Sequence, residues 1–261
     1  MSGAKHRHAP TEVRGLRGAG GGARTAGDDA GTLALLSEGK IELKGRIAWS
    51  SNATFLVEVR AGGGDRSLAI YKPTKGERPL WDFPRGLWKR EVAAYELARW
   101  LGWDLVPPTV GRADGPFGPG SLQYWVDAVE DEHYFTLLDK PQHLRALRRV
   151  AVFDLVVNNA DRKGGHCLLG PDGHIWAIDH GLCFHTDTKL RTVIWDFAGE
   201  QIEDNLLDAL EPLAEGQVPD GVSRLLEAGE LGALAGRART LRRRRKYPAP
   251  TSQWPYPWPL L

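Results

Sequence analysis

The chain has 261 residues, 42% of them hydrophobic, and a formal net charge of +1. Such a chain can bury a real core, and its length favours one two-lobed domain over two independent ones. Charges that nearly cancel give no case for nucleic acid or a membrane surface as a partner of the whole molecule, so only local clusters can argue for one. The start, Met1 to Pro10, lacks the apolar core of a signal peptide, and no later run reaches membrane-spanning length, which gives a cytoplasmic expectation. Two cysteines, Cys167 and Cys183, are too few for a disulfide framework.

Residues 1–31 are Gly, Ala and Arg with almost no large apolar side chains, a composition expected to form a disordered arm. Regular structure is expected from Thr32, with a short helix at Leu33, Leu35 and Leu36. Three strands follow, Ile41 to Trp49, Thr54 to Arg60 and Ser67 to Tyr71. Between the first two lies the polar turn Ser50-Ser51-Asn52-Ala53. Its small residues let backbone N–H groups approach anionic oxygens, although it has no glycine and also reads as a plain hairpin turn. On the third strand the alternation points Ile70 and Lys72 the same way, so Lys72 shares a face with a core residue and needs an anion. The competing placement is a lysine snorkelling out at a strand end.

Val92, Tyr95, Leu97, Ala98 and Leu101 recur near period 3.6 and predict a helix over 87–101, with Gly102 as its stop and Glu91 in its first turns. A strand entry at Val106 to Val110, a Pro/Gly loop at Gly115 to Gly120 and an alternating strand at Ser121 to Val126 come next. The lobe boundary is placed near Asp127 to Glu130. Leu144, Leu147, Ala151, Phe153 and Leu155 mark a helix that feeds Asn158-Asn159, with Arg145, Arg148 and Arg149 on solvated faces. Ile202 to Leu213 and Val222 to Leu241 read as closing helices. The second ends in the basic cluster Arg242 to Lys246, ahead of a Pro-rich tail, Tyr247 to Leu261, with Trp254, Tyr256 and Trp258. That cluster is the patch that would make a weak contact with an anionic membrane. The prolines preclude an amphipathic membrane helix, and the preferred reading is a helix end complementing its own dipole, then a tail packed on the body.

The centre of the chain is Val156 to Leu169 followed by Ile175 to Gly181. Two apolar runs joined by Gly170-Pro171-Asp172-Gly173 read as antiparallel strands. Asp161 enters just before the first and Asp179 leaves just after the second, so both carboxylates emerge at one end. One acid free to accept a proton and one free to hold a cation match what phosphoryl transfer requires; the alternative is a pair of ordinary turn and strand-end acids. His166, Cys167, His174, His180, Cys183 and His185 crowd the same hairpin and are zinc-binding types, but no C-x-x-C or H-x-x-x-H pair is present.

Asp161-Arg162 with a polar residue at 166, then Ile178-Asp179-His180-Gly181-Leu182, resembles the catalytic and metal-binding pair of the phosphatidylinositol 3/4-kinase superfamily. The pattern is most similar to the type II phosphatidylinositol 4-kinases and their bacterial counterparts, and more distantly to HipA-type kinases. Ile70-Tyr71-Lys72-Pro73, Arg90 to Tyr95, Val106 to Val110 and Ser121 to Val126 resemble further family segments in the family's order, over about residues 41 to 200. The resemblance implies an α+β, two-lobed protein-kinase-like fold with an antiparallel-sheet small lobe and a mainly helical large lobe. With the composition of the two ends, it divides the chain into a disordered arm (1–31), an N-terminal lobe (32–128), a C-terminal lobe (129–246) and a Pro/aromatic tail (247–261).

It also implies an ATP-dependent kinase that transfers the γ-phosphate to a hydroxyl acceptor, lipid or protein. The alternative is a nucleotide-binding pseudokinase or regulatory module without turnover. Asp161 would be the base, Lys72 would bind the nucleotide phosphates and Glu91 would orient Lys72, the alternative for Glu91 being a first-turn acid favoured by the helix dipole. Ser51 and Asn52 would cover the phosphates, Gln123, Tyr124, Trp125 and Val126 would form the adenine-reading hinge, and His166 and Asp179 would hold the metal. The cofactors implied are ATP and Mg²⁺. His166 stands where the family places an Asn, and as a softer ligand it suits Zn²⁺ or Mn²⁺ better than Mg²⁺.

Overall fold

The computed structural model describes residues 12–13, 29–47 and 52–261. The small lobe is built from β1 (Glu12–Val13), α1 (Asp29–Glu38), β2 (Lys40–Ile47), β3 (Phe55–Arg60), β4 (Arg66–Pro73), α2 (Trp88–Trp100), β5 (Thr109–Arg112) and β6 (Gly120–Tyr124). The strands form one sheet in the order β1-β2-β3-β4-β6-β5. Every pairing is antiparallel except that of β1, which runs parallel to β2. β1 falls inside the expected arm; apart from it and the first residues of α1, the arm lies outside the described residues.

β3 is buried along five of its six residues, as a central strand paired on both edges should be. Phe55, Val57 and Val59 join Ala69, Tyr71, Leu122 and Leu36 in the sheet core. Ile70 and Lys72 alternate onto the other face. α1 begins at Asp29, ahead of the expected Thr32, because Asp29 is a first-turn acid whose carboxylate accepts a hydrogen bond from Tyr95 (2.9 Å). The strand expected from Val106 starts only at Thr109, since Pro107 and Pro108 have no N–H to give a ladder. α2 stops where expected: Gly102 takes φ +68° and the Trp103 N–H reaches back to the Ala98 carbonyl (2.8 Å).

After a connection that includes Asp127 to Glu130, the large lobe contains α3 (Tyr134–Leu138), α4 (Pro141–Val157), the hairpin β7 (Cys167–Leu169) and β8 (Ile175–Ala177), and then α5 (Asp204–Ala209), α6 (Glu211–Ala214), α7 (Asp220–Ser223) and α8 (Ala228–Arg244). Its core runs continuously from the inner face of α2 through α4 and the hairpin to α8. The single helix expected over Val222 to Leu241 is two. Glu227 starts a new one with a capping box, in which Glu230 accepts the Glu227 N–H at 2.9 Å. Arg148 is not simply solvated: its guanidinium lies 4.5 Å from the Phe197 ring centroid and pairs with Glu200. A small cluster of Phe83, Leu87 and Ala160, with Leu182 packed on it, joins the lobes behind the polar loop.

Candidate active site

The helix α4 ends by design of its sequence. Asn158 adopts a left-handed conformation (φ 56°), which Asn tolerates better than most residues, and turns the chain into the loop that carries Asp161. Its side chain then holds the segment beyond Gly181. It donates to the carbonyls of His185 (3.0 Å) and Asp187 (2.7 Å) and accepts from the Lys189 N–H (3.0 Å). Asn159 accepts from the Asp161 N–H at 2.9 Å and donates to Asp154 at 3.0 Å. The start of the loop is therefore pinned by two adjacent amide side chains.

Beneath the loop lies a buried ion pair. Arg162 and Asp154 are both fully buried, and Asp154 accepts from Arg162 Nε and Nη2 at 3.0–3.1 Å. Arg162 Nη1 donates to the carbonyls of Ile178 (2.6 Å) and His166 (3.4 Å), one on each side of the hairpin. Arg162 Nη2 lies 2.8 Å from His180 Nε2. Since Arg can only donate, that nitrogen accepts and the His180 proton sits on Nδ1. Burial, then the Arg162 charge, keeps His180 neutral, well below the usual imidazole range. One guanidinium thus fixes where Asp161 begins the hairpin relative to where Asp179 leaves it.

Lys72, Glu91, Asp161 and Asp179 line one cleft that opens to solvent. Lys72 Nζ stands 2.5 Å from Glu91 Oε1 and 3.0 Å from Asp179 Oδ1. The other Glu91 oxygen accepts the His180 N–H at 2.9 Å, so this carboxylate joins the strand lysine to the backbone beside Asp179. Asp179 itself takes φ 60°, a conformation that costs a non-glycine residue energy and persists only when its surroundings impose it.

Charges set the protonation states. Burial works to raise the Asp179 carboxyl, but Lys72 and then His166 overcome it and hold it well below the carboxylate range. Burial works against the Lys72 charge too, and Asp179 with Glu91 outweighs it, so the ammonium is raised. Burial lifts the Glu91 carboxyl while Lys72 pulls it back. Asp161 is lifted by burial, against the pull of Lys163, whose Nζ is 3.1 Å from Asp161 Oδ2. A carboxyl raised in this way is a better proton acceptor near neutrality than an ordinary aspartate.

His166 Nε2 stands 3.5 Å from Asp179 Oδ2, and burial lowers its pKa to about 4, so it is neutral at pH 7. Two donors bound to one divalent cation sit about 3 Å apart, a spacing this pair can reach. Nδ1 of His166 accepts the Lys163 N–H at 3.3 Å, which places the ring proton of the neutral imidazole on Nε2. Metal ligation through Nε2 therefore requires the other tautomer and release of that amide. Among the described residues no group of three or more His, Cys, Asp or Glu side chains is arranged to hold a metal ion.

The remaining expected site residues are less central. Ser51 lies outside the described residues, and Asn52 lines the cleft with its side-chain oxygen engaged by the Arg78 N–H (2.9 Å). Gln123 is buried, with its amide on Thr109 Oγ1 (2.9 Å). The N–H groups of Tyr124 and Trp125 are bonded to Pro108 and Leu68 carbonyls. Neither these three nor Val126 lines the cleft described above. Sequence reasoning gave Arg162 a place in the Asp161-Arg162 motif but no role, and it passed over Lys163, Asp154 and Glu77. The last accepts from the Gly86 and Leu87 amides (2.8 and 2.7 Å), sets the approach to α2 and lines the cleft. Only Asp154 left a signal, as an acid inside the apolar run Val152 to Val157, where burial demands a partner.

The fold is that of a two-lobed, kinase-like protein. The model of the family "Phosphatidylinositol 3- and 4-kinase" matches residues 109–211. The chain belongs to the same family as Protein Rv2133c of Mycobacterium tuberculosis, to which it is 44% identical over 264 aligned positions, covering 87% of this chain and 94% of that protein. Phosphatidylinositol 4-kinase gamma 4 of Oryza sativa subsp. japonica is 27% identical over 176 positions, which are 52% of this chain and 30% of that protein. The fold is similar to the crystal structure of the Golgi casein kinase with Mn/ADP bound, with a TM-score of 0.55 at 15% identity over 82% of this chain and 74% of that one.

Proposed function

We propose that this protein is an ATP-dependent phosphotransferase that moves the γ-phosphate to a hydroxyl acceptor, lipid or protein. The observation that carries this reading is the meeting of Lys72, Glu91 and Asp179 within 3.0 Å contacts in a cleft that Asp161 also lines. The Golgi casein kinase structure, with its bound Mn and ADP, supports a nucleotide and a divalent metal for this fold.

In the proposed reaction the acceptor oxygen forms a bond to the γ-phosphorus, the bond to the bridging oxygen breaks and ADP leaves. Asp161 takes the hydroxyl proton. Its raised carboxyl suits that role, and Lys163 beside it is placed to offset the charge gathered on the transferring group. Lys72 binds the phosphates from the sheet side, and Glu91 keeps its ammonium aimed into the cleft. The Asp154–Arg162 pair contributes position alone, by fixing both acids to one buried anchor.

Asp179 and, in its other tautomer, His166 would hold a divalent cation as two donors. Such a cation, Mg²⁺ or Mn²⁺, would supply positive charge to offset that of the phosphates.

Purified protein incubated with γ-labelled ATP and Mg²⁺ or Mn²⁺, followed by separation of lipid and protein fractions, tests the reading. Label is expected in one acceptor fraction and is expected to vanish in Asp161→Asn and Asp179→Ala. Turnover that survives both substitutions would overturn the site assignment. ATP binding with no transfer to any fraction would favour the nucleotide-binding module instead.

A further inference from the structure

The catalytic loop is also held from outside, by the segment that follows α8. The Gly164 N–H donates to the Leu260 carbonyl at 2.7 Å. The Thr192 N–H and Trp195 Nε1 both donate to the Pro255 carbonyl, at 3.0 and 3.2 Å. Gly164 is buried and Thr192 is 3% exposed, so neither amide has water as a substitute acceptor. Thr192 in turn bridges to the Arg162 backbone, and its hydroxyl lies 3.4 Å from Asp154. The approach at Gly164 is close: a Cβ there would come within 2.8 Å of a Leu261 methyl and of the Phe135 ring. The bonds use main-chain carbonyls, while the Trp254 and Trp258 rings stay 78% and 87% exposed.

We propose that residues 255–261 are a positioning strap that ties the catalytic loop, at Gly164, to the 191–195 segment, at Thr192. Gly164 stands three residues from Asp161 and two from His166, so the strap sets the angle at which those side chains meet the cleft. None of its residues lines the cleft that Lys72, Glu91, Asp161 and Asp179 share. Its catalytic consequence rests on the phosphotransfer reading above; its contacts do not.

The test compares the full chain, a variant lacking residues 254–261, a milder variant lacking only Leu260 and Leu261, and Trp254→Ser. The readouts are kcat and KM for ATP, and amide hydrogen exchange over 161–166 and 190–195. Loss of the strap should lower kcat tenfold or more, since a displacement of about 1 Å can cost on the order of 100-fold. KM for ATP should stay within about twofold, because Lys72, Glu91 and Asp179 keep their partners. Exchange should rise in both segments for the longer deletion and over 161–166 for the shorter one, which keeps the answer open should the longer deletion not fold. Trp254→Ser should match the full chain throughout.

Unchanged exchange in the deletions overturns the strap even in a protein without turnover, so its failure is distinct from failure of the phosphotransfer reading. An equal or higher kcat after deletion overturns it, because the segment would then be a cover over the site. A kcat loss reproduced by Trp254→Ser also overturns it, since the exposed indole would be the operative group.

Discussion

Replacing Asp154 by Ala removes the carboxylate on which Arg162, Asn159 and Thr192 converge and leaves a guanidinium with no exposure to solvent. Breaking a buried pair by deleting one partner costs about 3–5 kcal/mol, because the surviving charge has neither water nor a counter-ion. For a chain of this size each kcal/mol moves the melting temperature by about 2–4 °C, so Asp154→Ala should melt roughly 10 °C below the parent. Turnover should fall by more than the unfolded fraction explains, since both acids hang from the same anchor. The double variant Asp154→Leu with Arg162→Met separates the two effects. Buried apolar replacements often match or exceed an ion pair in stability, so melting should recover while turnover stays low. Circular dichroism melts, read beside single-turnover assays on the same preparations, make the comparison. A single variant that melts within about 2 °C of the parent refutes the account, because that shift corresponds to at most about 1 kcal/mol.

Lys72→Met should weaken ATP binding and leave Glu91 a buried carboxyl with one amide partner, detectable by calorimetric titration with ATP; unchanged affinity would remove Lys72 from the phosphate site. His166→Asn should raise turnover with Mg²⁺ relative to Mn²⁺, since an amide oxygen is the harder donor and has no tautomer to exchange; the ratio of rates in the two metals is the measurement. Glu58 on β3 is held down to about 2 by hydrogen bonds from Lys44 and Arg60. Its unfolded value is about 4.3, so its contribution is complete above that pH and is lost as pH falls toward 2. Urea melts should therefore show Glu58→Gln less stable than the parent at pH 7, with the gap narrowing by pH 3.

Lys72, Glu91, Asp161 and Asp179 were legible because each is announced locally. Strand alternation gives the direction of Lys72, helix periodicity gives the turn that carries Glu91, and a Pro-Asp-Gly hairpin brings the two aspartates to one end. The two-lobed α+β fold followed from the same segments in order. What could not be read were the bonds between distant segments. Glu77 serves the start of α2 across nine and ten residues, and the Gly164 amide finds its acceptor at Leu260. No periodicity encodes such partners, because main-chain carbonyls carry no residue signature. The helix expected over Val222 to Leu241 failed for a related reason: its apolar spacing runs through a break marked only by the Glu227–Glu230 capping box.

Asp154 shows how a sequence signal and a structural fact can meet. An acid in an apolar run says that a buried charge needs a partner, without saying which. The structure supplies Arg162, adjacent in sequence to the proposed base Asp161 and bonded through the Ile178 carbonyl to the residue preceding Asp179. Sharing one guanidinium makes the geometry of the proposed base and of the metal-side acid a single variable. A substitution that shifts one should shift the other, so losses from Asn159→Ala and Asp154→Asn should be less than additive in the double variant. The cycle is measured on turnover, with melting recorded alongside, and full additivity would mean that the two acids are positioned separately.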